Sequence, residues 1–480
     1  MLQVWALENC IIGSTALDGF TVRFSMANGA ALQSGKRAYA LVIAVAAALG
    51  GLLFGYDTSV ISGAILFVRQ QFHLTPVQTE VAVSIVLAGA ALGAGSAGSF
   101  GDRYGRRPVL IVNAVFFGLF AVLTGFANGL GTFLVARFMI GMAVGVASML
   151  TPLYIAELAP PKVRGALVTL NQLAIVTGIV VAYYVDYLFA NSGNWRIMFI
   201  SAVAPSVILL VALLFLPESP RWLVIRERED EAFRILERVE STEDARRHLE
   251  ELQDITATDR LRFRDLFGGR FKRPLMIGVG LAVFQQITGI NAILYYTPTI
   301  LQMAGFKSAS SAILATVLVG GVNFVVTIIA LLLLDRVGRR PLLLFGIAGM
   351  IVTLTCLGYL FGAEHVSRAA ILMDVLVYLA CFAIGLGPVF WLLISEIYPT
   401  TIRGQAMSVA SVTIWLSDLL VSVTFLSLMN AVGAKYSFLI YAAACVAAFI
   451  FSFRLIPETK GKTLEEIEGS WARKYAITAK

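Results

Sequence analysis

The chain has 480 residues, of which 58% are hydrophobic and 14% are charged, and its mean hydropathy is +0.81. A soluble domain carries about 25% charged residues, so this composition excludes an ordinary soluble protein. The formal charge is +7, but the cations stand in short segments between apolar blocks. That pattern indicates membrane topology and no nucleic-acid partner.

Catalytic and metal-binding signatures are not visible. The four cysteines and three histidines are too scattered for a disulfide framework or a metal cluster. We find no nucleophile–base pair and no phosphate-binding loop in the sequence. We therefore predict that the protein is not an enzyme and uses neither a cofactor nor a bound metal.

Residues 1–35 precede the first apolar block and match neither a membrane span nor a signal peptide. We interpret them as an N-terminal extension whose start is mis-assigned, with Met26, shortly before Lys36 and Arg37, as the alternative start.

Apolar blocks long enough to cross a bilayer as helices, about 20 residues, follow along the chain. We predict an N-terminal six-helix bundle at 36–217, cytoplasmic linker helices at 218–273, a C-terminal six-helix bundle at 274–457 and a cytoplasmic tail at 458–480. In the linker, charges of both signs are mixed with apolar residues at helical spacing; a solvated linker with no role beyond joining the halves is the alternative. The predicted spans lie near 39–67, 79–100, 108–127, 130–156, 165–189, 196–217, 274–302, 310–334, 341–362, 370–395, 404–429 and 436–456.

Most cations between the spans fall on one side of the predicted membrane, the side that also carries the linker. The positive-inside rule places that side, with both termini, in the cytoplasm. The cations that set this orientation are Lys36, Arg37, Arg103, Arg106, Arg107, Lys162, Arg164, Arg336, Arg339, Arg340, Arg403, Lys460 and Lys462.

Three short motifs occur once in each half. DRYGRRP at 102–108 returns as DRVGRRP at 335–341, Glu157 with Arg164 returns as Glu396 with Arg403, and PES at 217–219 returns as PET at 457–459. Their common order and nearly constant spacing indicate two homologous halves, related by an axis along the membrane normal.

The repeated motifs predict a salt-bridge network at the cytoplasmic ends of the spans, which ties helices together and breaks when that face opens. Arginine suits such pairs because it binds carboxylates in a bidentate manner; the alternative is that the cations set topology alone. The predicted network comprises Asp102, Arg103, Arg106, Arg107, Glu157, Arg164, Glu218, Arg221, Asp335, Arg336, Arg339, Arg340, Glu396, Arg403 and Glu458.

Further motifs are more specific: PESPRWL at 217–223, QQITGIN at 285–291, Gly387-Pro388 with Trp391, and PETKGK at 457–462. With them, residues 36–470 resemble the sugar porter family of the major facilitator superfamily, and most closely its bacterial proton-coupled symporters for xylose, galactose or glucose. The resemblance implies an all-α integral membrane protein of the major facilitator fold in the bacterial inner (plasma) membrane. We expect it to work as a monomer.

Two charged residues stand inside predicted spans, Asp57 in the first and Arg137 in the fourth. Charges at that depth are rare and mostly functional; the alternative is that both lie near span ends and face water. In the proton-coupled sugar porters, the residue that matches Asp57 binds the proton and the one that matches Arg137 modulates it. The resemblance therefore implies proton coupling. Asp418 is a second acid inside a span.

A sugar needs amides for its hydroxyls and an aromatic face for its C–H groups. Amides and tryptophans that stand in otherwise apolar spans are therefore candidate ligands, with hydrogen bonding between helices as the alternative. Gly289 and Pro298 allow the seventh span to break, as spans do at transporter sites. The predicted sugar-binding residues are Gln172, Gln285, Gln286, Asn291, Asn323, Trp391 and Trp415.

Together these features predict secondary active transport of a pentose or hexose by proton symport through alternating access, with monosaccharide, protons and the lipid bilayer as partners. A facilitative sugar or polyol uniporter is one alternative. A membrane sugar sensor is another, although the sensors of the family carry long cytoplasmic extensions.

Overall fold

A computed structural model describes residues 34–161, 163–257, 266–268, 271–364, 367–398 and 403–460. Residues 1–33 of the predicted extension and most of the predicted tail lie outside these residues. The described residues form helices and no strands. The helices are α1 Ser34–Gln71, α2 Pro76–Tyr104, α3 Arg106–Gly125, α4 Leu130–Leu158, α5 Arg164–Ala190, α6 Trp195–Ile200, α7 Val203–Phe215, α8 Pro220–Ile225, α9 Glu229–Val239, α10 Thr242–Ala257, α11 Lys272–Ile287, α12 Ile290–Met303, α13 Ala309–Val337, α14 Arg339–Phe361, α15 Arg368–Ile384, α16 Leu386–Ile397 and α17 Arg403–Leu455.

Eleven helical stretches in the described parts of the chain are long and apolar enough to cross a membrane. The last, α17, has 53 residues, which is about 80 Å at 1.5 Å per residue and far exceeds the ~30 Å hydrocarbon core of a bilayer. Gly433, with φ 81° and ψ 159°, breaks it. The chain then runs back, since Phe451 lies beside Gly280 on α11. The break makes two spans of α17, and the prediction of twelve spans is confirmed.

The two halves of the bundle repeat the same backbone turn at the repeated motif. Gly105 (φ 100°, ψ 155°) joins α2 to α3, and Gly338 (φ 106°, ψ 164°) joins α13 to α14. Side chains disfavour this conformation, and a Cβ would fall 2.3 Å from Glu218 at Gly105 and 2.8 Å from Glu458 at Gly338. The glycine of the motif is therefore required by the turn and by the close approach of a carboxylate.

The linker between the halves is helical, as predicted, and packs against the N-terminal half. Its helices α8, α9 and α10 share a small apolar core that includes Leu223, Leu236 and Ala245. The ammonium of Lys36, at the start of α1, donates to the carbonyl oxygens of Glu237 (2.8 Å) and Glu240 (2.7 Å). We call the end of the bundle that carries this linker the linker end, and the opposite one the far end.

Hydrogen bonds join the two halves directly at the far end. Ser62 on α1 and Tyr183 on α5 both donate to the carbonyl oxygen of Leu294 on α12, at 3.1 and 3.0 Å. The Glu80 carboxylate on α2 accepts from the backbone N–H and the hydroxyl of Ser427 on α17, each at 2.6 Å. The described conformation is therefore closed at the far end.

The seventh span breaks at Gly289, between α11 and α12, as the sequence predicts. Gly289 has φ 88° and ψ 12°, a left-handed conformation, and a Cβ there would lie 3.0 Å from the ring of Tyr441. We expect Gly289→Ala to destabilise the purified protein by about 1–2 kcal/mol, the cost of a left-handed residue with a side chain. Gly321→Ala is the control, since nothing lies within 4 Å of a Cβ at that position. Equal thermal unfolding temperatures of the two variants would contradict this prediction.

Candidate functional site

A cavity of about 110 Å³ lies at the centre of the bundle, between the two halves. One water molecule needs about 10–15 Å³ by the same measure of volume. The cavity is therefore large enough for a small polar molecule. Every predicted sugar-binding side chain lines it. α5 of the N-terminal half contributes Gln172, and the C-terminal half contributes Gln285, Gln286, Asn291, Asn323, Trp391 and Trp415.

Amide groups form a hydrogen-bonded line along the wall supplied by α11 and α12. Gln285 donates to the carbonyl oxygen of Leu386 at 3.1 Å, and its own side-chain oxygen accepts from Gln286 at 3.4 Å. The oxygen of Gln286 accepts in turn from the Asn291 amide at 2.9 Å. The break at Gly289 brings these side chains together, because it ends one helix after Gln286 and starts the next before Asn291. The line fixes the orientation of three amides toward the cavity.

Aromatic rings provide the apolar faces of the cavity. Trp415 on α17 lies against Phe54 on α1, with ring centroids 5.1 Å apart, and so joins the two halves. Trp391 on α16 packs edge-on against Phe390 at 5.1 Å. Amides on one wall and rings on the others match the chemistry of a sugar, which has hydroxyl groups and C–H faces.

Asp57 and Arg137 form an ion pair inside the N-terminal half. An Arg137 nitrogen lies 2.5 Å from one carboxylate oxygen of Asp57, and both side chains are at most 2% exposed. Among the described residues, the second oxygen of Asp57 and two further nitrogens of Arg137 are buried without hydrogen-bond partners. Burial excludes the alternative that the two residues face water. The pair adjoins the cavity, because Thr58 and Ser59 line it.

At the linker end of the N-terminal half, the first copy of the motif is tied to two helix ends. Arg106 binds the Glu157 carboxylate through two nitrogens, at 2.9 and 3.2 Å, and Ser219 donates to the same carboxylate at 2.6 Å. Glu218 accepts from the backbone N–H groups of Arg106 (3.0 Å) and Arg107 (3.2 Å). The cluster holds the start of α3 to the ends of α4 and α7.

The second copy forms the same cluster in the C-terminal half. Arg339 binds Glu396 at 2.9 Å, and Thr459 donates to Glu396 at 2.6 Å. Glu458 accepts from the backbone N–H groups of Arg339 (3.1 Å) and Arg340 (3.0 Å). The arginine that pairs with Glu396 is thus Arg339, the counterpart of Arg106.

The equivalent carboxylates Glu218 and Glu458 differ in their pKa. Burial raises the pKa of Glu218, although hydrogen bonds from the backbone lower it in part. Glu458 is less buried, and the backbone N–H groups around it outweigh the desolvation and lower its pKa. On acidification Glu218 therefore takes up a proton before Glu458.

Other members of the predicted network lie at the edge of these clusters or outside them. Asp102 pairs with Arg106 at 2.9 Å from an exposed position, and an Arg164 nitrogen lies 3.5 Å from His248. The guanidinium of Arg107 donates to the carbonyl oxygen of Leu213 at 2.9 Å, which caps the end of α7. The side chains of Asp335 and Arg403 lie outside the described residues. Exposed members are Arg103, Arg221 and Arg336.

Two buried carboxylates near the far end were missing from the prediction. Asp186 on α5 is fully buried, and one of its oxygens accepts from the backbone N–H of Gly63 at 3.0 Å. Glu80 joins the halves through Ser427. A single acid in an apolar span, the signal that singles out Asp57, is also present at Asp186. The role of Glu80 depends on contact between the halves, which sequence spacing does not show.

Comparisons with known proteins agree with this fold. Residues 43–471 match the model of the family described as sugar (and other) transporter. A D-xylose transporter of Levilactobacillus brevis is 40% identical over 88% of this chain and 94% of its own length. The arabinose-proton symporter of Bacillus subtilis is 35% identical over 92% of this chain and 97% of its own. The structure of the proton:xylose symporter XylE from E. coli with bound 6-bromo-6-deoxy-D-glucose superposes with a TM-score of 0.79 at 35% identity, covering 90% of this chain and 99% of that one.

Proposed function

The chain belongs to the sugar (and other) transporter family, and from this premise we propose that it carries a monosaccharide, a pentose or hexose, across the bacterial inner membrane by proton symport. The observation that carries the proposal is the buried Asp57–Arg137 pair beside a cavity lined by amides and tryptophans. The names of its relatives support it, since they include transporters of xylose and a proton symporter of arabinose.

Sugar binding is assigned to the line of amides. Each amide offers both a donor and an acceptor, so Gln285, Gln286 and Asn291 can satisfy hydroxyl groups that act in either role. Trp391 and Trp415 cover the C–H faces and exclude water. Gln172 approaches from the N-terminal half, so a bound sugar contacts both halves and favours their closure around it.

We expect Gln286→Ala and Asn291→Ala each to weaken sugar binding by about 1–3 kcal/mol, the cost of a lost buried hydrogen bond. Binding of labelled monosaccharides to purified protein measures the effect. Asn113→Ala is a matched control, because Asn113 is a buried amide bonded to the carbonyl oxygen of Ala143 at 3.1 Å and is not in the cavity lining. Unchanged affinity in both test variants would remove these residues from the site.

Proton coupling is assigned to Asp57 and Arg137. The arginine stabilises the charged form of the carboxylate, while burial favours the protonated form. Movement of Arg137 away from Asp57 during alternating access lets the acid bind a proton in one state and release it in the other. A uniporter needs no such pair.

The positive-inside rule assigns the linker end to the cytoplasm. In that orientation the far end faces outward, and the described conformation is closed toward the outside. The clusters around Arg106 and Arg339 then stiffen the cytoplasmic face of each half. We assign to them the gate on that side.

A further inference from the structure

Asp418 on α17 lines the cavity without a basic side chain beside it. The residue is fully buried. It is the one acidic residue in the lining of the cavity, and lysine, arginine and histidine are absent from that lining among the described residues. A carboxylate this deep in a membrane protein needs a partner, which is either a cation, a proton or a set of hydrogen-bond donors.

Hydrogen-bond donors fill that role in the described conformation. Asn291 donates to one oxygen of Asp418 at 2.7 Å, and the Tyr295 hydroxyl donates to the same oxygen at 3.0 Å. The Ser422 hydroxyl donates to the other oxygen at 3.0 Å. An ionised carboxylate can only accept hydrogen bonds, and here both oxygens of Asp418 accept from donors, three in all. This arrangement favours the ionised form of the carboxylate. These three donors thus stabilise the anion.

The Asn291 amide is shared between this carboxylate and the assigned sugar site. Its two hydrogens are both in use, because the nitrogen donates to Gln286 at 2.9 Å and to Asp418 at 2.7 Å. A sugar hydroxyl that accepts from Asn291 therefore displaces one of these bonds. When the bond to Asp418 is the one displaced, the buried charge loses a donor, and uptake of a proton becomes the way to compensate it.

We propose that Asp418 is a second proton-binding site, in the C-terminal half, which takes up its proton as a sugar engages Asn291. The inference rests on the proposed function, because it assigns the sugar to Asn291. The proton comes from the surrounding solution and binds a carboxylate oxygen; no covalent bond of the sugar changes. By linkage, proton binding at Asp418 tightens sugar binding by the same factor.

The same carboxylate is connected to the closure of the far end. Tyr295, which donates to Asp418, follows Leu294, whose carbonyl oxygen accepts from Ser62 and Tyr183 across the halves. A change in the protonation of Asp418 therefore alters a contact of α12, the helix that seals this end.

In the part of the chain that the structure describes, the titratable groups near Asp418 do not supply a cation to it. The charged residues on α11, α14 and α16, which also pack on α17, lie at the linker end: Lys272, Arg273, Arg339, Arg340 and Glu396. Other titratable groups face this region from the neighbouring helices. They are Tyr295 and Tyr296 on α12, Tyr183 on α5, Glu80 on α2, Asp57 on α1 with its partner Arg137 on α4, and Tyr441 in the second span of α17.

Proton uptake on sugar binding tests the inference. D-xylose, D-galactose or D-glucose is added to the purified full-length protein in weakly buffered detergent solution, and a pH indicator reports the protons bound. We expect the wild-type protein to take up as much as about one proton per bound sugar through this linkage. Asp418→Asn should bind sugar with that uptake reduced at least several-fold. Asp374→Asn, an acid on α15 outside the cavity lining, should behave like the wild type. Full uptake in Asp418→Asn would overturn the proposal.

A second variant decides the question if Asp418→Asn does not fold. Ser422→Ala keeps the carboxyl group and removes one of its donors, so the pH profile of sugar-linked uptake should move to higher pH. An unchanged profile would overturn the proposal. Sugar binding to the wild type without any proton uptake contradicts this inference alone, whereas failure of the wild type to bind any of the three sugars contradicts the proposed function as well.

Discussion

Asparagine in place of Asp57 is expected to abolish accumulation of sugar against a gradient while sugar binding survives. The amide mimics the protonated acid and cannot release a proton, so no proton crosses with the sugar. Moving one charge down a 100 mV potential is worth about 2.3 kcal/mol, which supports about a fifty-fold sugar gradient. That gradient is what the variant should lose. Uptake into proteoliposomes with an imposed proton gradient measures it.

The ion pair makes the size of this effect plausible. Asp57 lies 2.5 Å from the guanidinium of Arg137, and neither side chain is more than 2% exposed. Removal of the negative charge leaves Arg137 buried and unpaired, so we also expect lower thermal stability. Asp374→Asn is the control for loss of an acid in a span. A uniporter would show little change in Asp57→Asn, and a variant that still concentrates sugar would exclude Asp57 as the coupling site.

Loss of Arg106 is expected to have the second large effect. The Arg106 and Glu157 side chains are 4% and 6% exposed, and breaking a buried pair by removing one partner costs about 3–5 kcal/mol. Arg106→Ala should therefore detach the start of α3 from the end of α4 and weaken the face that closes the linker end. The state open at that end then gains population.

Cysteine accessibility measures this shift. Thr327→Cys in the cavity lining, in a background with the native cysteines replaced by alanine, should react faster with a membrane-impermeant maleimide from the linker side when Arg106→Ala is added. Arg103→Ala is the matched control, because Arg103 belongs to the same motif and is exposed. Equal reaction rates in the Arg106 variant and its parent would leave the motif with a topological role alone.

Much of the fold follows from the sequence because bilayer physics constrains it strongly. Apolar blocks of sufficient length predict the spans, and the repeat at a spacing of 233 residues between Gly105 and Gly338 predicts two equivalent turns, which the backbone angles show. With the same spacing, Arg339 is the position in the second motif that corresponds to Arg106 in the first. The repeat therefore indicates which arginine of the second motif meets Glu396.

The candidate site was predictable where polar side chains are rare. Amides such as Gln285 and Asn291 stand out in apolar spans, and the structure brings them to one cavity. What the sequence does not show is contact between segments far apart in the chain. The bond from Asn291 to Asp418 and the bonds from Ser427 to Glu80 depend on how the halves meet. Spacing and periodicity carry no information on that arrangement.

Uptake of labelled monosaccharides by the wild-type protein in proteoliposomes, with and without an imposed proton gradient, tests the central claim most directly. Proton symport predicts that at least one pentose or hexose accumulates above the outside concentration when the gradient is imposed, and equilibrates when it is absent. Equilibration alone under both conditions would contradict the account and indicate a uniporter.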